Sequence, residues 1–164
     1  MTMIKKTAGV LLAILLPLTA VAQDAPALKS QYEVNRQVVE TERQAIVAAN
    51  LPLTEAEADA FWPVYREYRN AVAGLDEQGF SVVMSYAKLY NAGTLTDMDG
   101  TSLMDDAIAI EAKRVEERTK AWKKVQKVLP GAKAARYMQI ENKLDAIRRF
   151  ELAREIPLIE PAAN

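Results

Sequence analysis

The chain has 164 residues with 21 basic and 22 acidic side chains, no histidine and no cysteine. An acid-leaning balance disfavours a nucleic-acid partner, and without imidazole or thiol the usual general base, the commonest transition-metal ligands and any disulfide are gone. Most hydrolase and metalloenzyme designs are thereby excluded, and stability must come from packing or association.

The opening stretch, MTMIKKTAGVLLAILLPLTAVAQD, sets Lys5 and Lys6 before an apolar run from Ala8 to Thr19 and ends in Ala20-Val21-Ala22, a small-x-small cleavage site. The pattern predicts a secretory signal peptide over residues 1–22, cut after Ala22. A membrane span would need about 20 apolar residues, more than this run supplies, and Pro17 interrupts it. A lipoprotein would need a cysteine at the cut. The expectation is a soluble, exported single domain over residues 23–164, with 19 basic and 22 acidic side chains.

Ser30-Gln31-Tyr32-Glu33 has the form of a capping box, and Tyr32, Val39 and Ile46 follow seven apart, predicting a first helix over about 31–49. Asn50-Leu51-Pro52 ends it. Thr54-Glu55-Ala56-Glu57 is a second capping box opening a helix over 55–91. Along it Phe61, Tyr68, Leu75, Val82 and Leu89 interleave with Tyr65, Val72, Gly79 and Tyr86, a seam at alternating spacings of four and three. At 1.5 Å per residue that helix is about 55 Å long, too long for a chain of this size to wrap on all sides. Pro63 stands inside it and predicts a bend that lets Phe61 and Trp62 close the core, or that curves the helix into one side of a cradle.

After NAGTLTDMDGTS a third helix is predicted over 97–128, with Ile108, Val115, Trp122 and Leu129 inward and Met104, Glu111, Arg118 and Val125 interleaved. Glu111 and Arg118 either pair with groups on other helices or are exposed as the seam drifts; the drift of a strict heptad on a straight helix favours exposure. Leu129-Pro130-Gly131 breaks the chain before a fourth helix over 132–155, with Tyr137, Ile140, Leu144 and Ile147 inward. The fold class expected is all-α: four antiparallel helices, two of them long, in an extended hairpin or cradle, as a dimer.

Little in this sequence points to catalysis. Asp97, Asp99, Asp105 and Asp106 suggest a calcium loop, but its sixth position is Ser102 and its twelfth Ile108, so these acids read better as partners of a helix dipole. No serine or threonine has a histidine partner, and no glycine-rich phosphate loop exists. Neither an enzyme nor a cofactor is expected. Trp62, Val83 and Tyr90 form a second apolar flank on the long helix, while Lys113, Arg114, Arg118, Lys120, Lys123, Lys124 and Lys127 make the third helix basic toward its end.

On Leu53-Thr54-Glu55-Ala56-Glu57 the chain resembles the periplasmic Spy/CpxP-like, or LTxxQ, family, with Glu57 where Gln is usual; both close a capping box. The second family signature is matched in part by Leu129 and by Arg136-Tyr137, without its Thr and Gln. The resemblance covers about residues 31–155 and the export signal. It implies a periplasmic helical protein, often a cradle-shaped antiparallel homodimer, that binds unfolded or partly folded envelope proteins without ATP or restrains an envelope-stress sensor kinase. The client- or partner-binding candidates are Trp62, Tyr65, Tyr68, Val83, Tyr90, Arg114, Arg118 and Lys124, some of which must pack inside. A chaperone-like binder is the leading expectation, a regulatory partner of a membrane sensor the second, and a carboxylate-based divalent-cation binder the third.

Overall fold

The computed structural model describes residues 25–159, an all-α chain of four helices: α1 (Ala25–Asn50), α2 (Glu55–Ala92), α3 (Asp97–Val128) and α4 (Gly131–Glu155). The signal peptide expected over residues 1–22 lies outside the described residues. Among the described residues no helix is long and apolar enough to cross a membrane.

Local chemistry accounts for the boundaries. The Thr54 hydroxyl accepts from the Glu57 amide at 3.3 Å and the Thr54 amide donates to Glu57 Oε2 at 2.7 Å, so the expected capping box starts α2. At its other end Gly93 takes φ +64°, a left-handed conformation that costs glycine nothing, and its amide closes on Tyr90 O. Thr96 and Asp99 form a further capping box that opens α3. Asp97 and Asp99 occupy its first turn, as the dipole favours. α2 continues without interruption through Pro63, whose ring lies on the exposed face.

The first helix departs from expectation. α1 begins at Ala25, so Ser30 sits inside it and no helix starts at the Ser30–Glu33 box. The reason lies upstream: Ala25-Pro26-Ala27-Leu28-Lys29 puts proline in the first turn, where its missing N–H is harmless, and follows it with strong helix formers.

The apolar core gathers at one end, where the α1–α2 and α3–α4 turns meet. Val47, Leu51, Phe61, Tyr65, Val125, Leu129, Ala134 and Tyr137 are buried there. Phe61 meets Tyr137 edge-on at 4.9 Å between ring centroids, and Tyr137 meets Tyr65 at 6.1 Å. Further along, Tyr68, Val72 and Ala121 form a smaller cluster. The α2 seam was legible: Phe61, Tyr65, Tyr68, Val72, Leu75 and Tyr86 are all buried.

The inward faces of α3 and α4 differ from those expected. On α3 the buried residues are Ile110, Arg114, Ala121 and Val125, while Met104, Ile108 and Val115 are more than half exposed. On α4 they are Ala134, Tyr137, Glu141 and Asp145; Ile140 and Leu144 are half-buried and Ile147 is exposed. In both helices charged side chains hold inward positions that an apolar count skips. Trp122 is half-buried against the main core.

Phe61→Ala removes a ring that is wholly buried, and is expected to lower stability by about 3–5 kcal/mol in urea unfolding, with no change in helix content at zero denaturant. A second outcome concerns Glu57. A hydrogen bond from Lys133 on α4, at 2.5 Å, and another from the Thr54 amide hold its carboxyl below the usual range. A depressed folded value means that its contribution is complete above the ordinary carboxylate range and is lost as pH falls through it. The urea midpoints of the wild type and Glu57→Gln should therefore differ at pH 7 and converge in acid.

Candidate functional site

The interior of the middle section is ionic. Arg43 on α1 donates from Nε to Glu141 Oε2 at 3.1 Å, and from Nη2 to the same oxygen at 2.8 Å and to Asp145 Oδ1 at 2.5 Å. Arg69 on α2 forks onto Glu40 of α1 through Nε, at 2.9 Å, and Nη2; its Nη1 lies 3.5 Å from Glu141 Oε2. Arg118 on α3 reaches Asp145 Oδ2 at 3.4 Å. Three arginines and three carboxylates thus bind all four helices in one lattice, with Arg43, Arg69, Glu141 and Asp145 buried. Next to it, Asp76 Oδ1 accepts from Arg114 Nη2 at 2.6 Å and from Arg148, and Glu111 lies 3.4 Å from Arg114 and 3.7 Å from Arg149.

Burial opposes both inner guanidinium charges. The Glu40 hydrogen bond and the charges of Glu40 and Glu141 outweigh it at Arg69, and Glu141 and Asp145 do so at Arg43, so both sit above the ordinary arginine value. Burial, and then the Glu141 charge, push the Tyr65 and Tyr137 phenols up. Both phenols stay neutral throughout the range in which proteins fold. Among the described residues their buried hydroxyls have no hydrogen-bond partner, which costs free energy that the burial of the rings must outweigh.

The candidate binding residues fall into three settings. Tyr65, Tyr68 and Arg114 are buried and offer no surface. Trp62, Val83, Tyr90 and Arg118 are half-buried; Trp62 packs edge-on against Phe61 and Tyr65 with centroids at 5.1 and 5.3 Å, Tyr90 tilts against Tyr86 at 5.5 Å, and Arg118 belongs to the ionic lattice. Lys124 alone is exposed, paired with Glu67 across the α2–α3 contact. These residues do not converge on one face. Glu111 is exposed, as seam drift suggested, although it lies 3.7 Å from Arg149 of α4, whereas Arg118 is half-buried and pairs with Asp145 of α4. The motif residues act locally: Leu53 packs on the main core, Thr54 caps α2, and Glu57 ties the cap to Lys133 of α4.

Sequence reasoning missed the lattice and the outward apolar residues. The signal for the lattice was present: Glu141 and Asp145 continue the stripe Ala134-Tyr137 at helical spacing, as Arg69 does that of Phe61 and Tyr65. On the surface, Met104, Ile108 and Val115 lie at spacings of four and seven on one side of α3, and Ile147 and Phe150 three apart on α4. Among the described residues no group of three or more metal-ligating side chains is placed to hold an ion. No protein-family model, curated protein or solved structure matches this chain.

Arg43→Met removes the shortest contacts of buried Glu141 and Asp145, leaving them only the longer ones to Arg69 and Arg118, and should cost about 3–5 kcal/mol in urea unfolding. Arg43→Met combined with Glu141→Leu removes one of these two weakened charges, the more deeply buried, and should be distinctly more stable than Arg43→Met alone; additive losses would show that the two side chains are not coupled.

Proposed function

We propose that this chain is an exported, ATP-independent binding protein that holds unfolded or partly folded envelope proteins, as the Spy/CpxP-like resemblance implies. The observation that carries this reading is the apolar side of α3: Met104, Ile108 and Val115, each more than half exposed, next to the Glu111–Arg149 ion pair. Large aliphatic side chains in a row on one helix face lose free energy in water and gain it against the apolar segments of an unfolded chain. The residues around them include many charged side chains, suited to weak capture of many sequences rather than tight capture of one.

The same reading includes an antiparallel arrangement of the helices and a homodimer. The first is supported by the ion pairs Lys124–Glu67 and Arg114–Asp76, across which α3 numbers fall as α2 numbers rise. The second follows from the α3 face, which a second copy would cover in the absence of client. The periplasm is the compartment that the leader pattern, with its lysines and its small-x-small cut, supports.

Purified mature protein, without nucleotide, is expected to suppress aggregation of two unrelated, chemically unfolded proteins at near-stoichiometric amounts. Ile108→Ser with Val115→Ser should abolish most of that suppression and leave the unfolding free energy from urea titration within about 0.5 kcal/mol of the wild type, since both residues lie on the surface. Failure to suppress either protein, together with capture of a single saturable partner by crosslinking in the envelope, would replace this reading by that of a sensor-kinase regulator.

A further inference from the structure

Beyond Glu155 the chain leaves α4 and crosses to the far end of the α2–α3 hairpin. The Tyr86 hydroxyl, on α2, donates to the Pro157 carbonyl at 2.8 Å. Ile156 and Pro157 are half-buried, and Tyr86 is buried. Ile159 reaches the first turn of α3, where a methyl built on Gly100 would lie 3.5 Å from its Cδ1. A methyl at Gly100 would thus meet the Ile159 side chain at ordinary contact distance, and a longer side chain would extend into the space beside it. Leu95, Gly100, Met104 and Ile159 line an open cavity of about 520 Å³, with Asp97 and Asp105 on its rim. That volume is within the range of ordinary ligand sites. The tail leaves room to spare, for Leu158 stands 87% and Ile159 45% exposed.

A tyrosine hydroxyl that catches a proline carbonyl, and an apolar groove two residues further on, read the backbone and the side chains of an extended peptide. We propose that the α2–α3 tip is a docking groove for extended apolar segments with a basic flank, and that Ile156–Ile159 is its resident occupant, a strap that an incoming segment displaces. The tail itself shows what the groove accepts, and the two rim aspartates add the preference for a cation. Tethering gives the strap a high effective concentration, but one hydrogen bond and a half-exposed isoleucine hold it weakly, so a foreign segment can compete. The proposal rests on the binding-protein reading only for the identity of the displacing segment as part of a client.

The experiment uses the full mature chain and a fluorescein-labelled peptide, Ile-Pro-Leu-Ile-Lys-Lys, followed by fluorescence anisotropy. Ile159→Ser loosens the strap and is expected to tighten peptide binding about fivefold, because a larger fraction of the grooves is open. Gly100→Leu fills the groove and should weaken binding at least about tenfold, while the exchange of glycine for a better helix former keeps α3 folded. Absence of binding to the wild type and to Ile159→Ser, or equal binding by wild type and Gly100→Leu, overturns the groove. If either occurs while aggregation of unfolded proteins is still suppressed, the groove falls and the proposed function stands. If the peptide binds as expected but suppression fails, the groove stands and its occupant is a specific partner segment.

Discussion

Arginine–carboxylate pairing in the interior is the constraint on which the arrangement of the four helices depends. Arg43 ties α1 to α4, Arg69 ties α2 to α1 and α4, and Arg118 ties α3 to α4 through Asp145. Withdrawing such charges from water costs several kcal/mol per ion, and the attraction between them returns that only in good geometry. The lattice is therefore a poor source of net stability. Its effect is on register: sliding α1 or α4 by one turn, about 5 Å, would leave buried charges facing apolar side chains. An apolar interface of similar size would tolerate such slips far better.

Its position along the molecule makes the structure graded. At one end eight buried apolar and aromatic residues close the two turns; the middle is the ionic lattice; toward the other end lie the Tyr32–Phe80 stack at 4.0 Å, the Asp76 ion pairs, the Tyr86–Tyr90 ring contact and the Tyr86–Pro157 hydrogen bond, with no comparable buried cluster among the described residues. Local opening is cheapest where the least apolar area is buried. The α2–α3 turn and the segment 156–159 packed on it are thus where opening is expected to cost least, while the aromatic end is where it costs most.

The parts of the fold written in apolar periodicity or in short-range hydrogen bonds were legible in the sequence. The Thr54–Glu57 box and Gly93 bounded α2 because caps are local chemistry, and its seam read correctly because aromatic and aliphatic residues fill nearly every inward position. α3 and α4 misled because the signal used was hydrophobicity. Arg114 lies inward where Val115 was expected to, and Glu141 and Asp145 lie inward beside Tyr137 where Ile147 was expected. No helix announces alone that its charges are paired; the partners stand 98 to 102 positions away, for Arg43 with Glu141 and Asp145. Within the candidate site, Tyr65 and Tyr68 belong to the buried seam, and periodicity alone did not say which of the candidates would pack inside. The strap had no signature at all, because residues 156–159 look like a tail until Tyr86 and Gly100 are brought against them.

Interior charge and exterior hydrophobicity have a common origin in this chain. A helix face has a fixed number of inward positions, and α3 gives one of them to Arg114 and a half-buried one to Arg118. The side chains on the adjoining sector, Ile108 and Val115, then face water, although their chemistry suits a core. On α4 the same displacement sets Glu141 and Asp145 inside and leaves Ile147 and Phe150 outside. Stability alone would favour the reverse exchange, since burying the aliphatic residues in place of the ion pairs is often neutral or favourable by about 1–4 kcal/mol. An arrangement that instead fixes register with charge and leaves aliphatic side chains exposed retains apolar surface for contact with other chains. Exposed apolar surface and helix register are thus two consequences of one choice of which residues face inward.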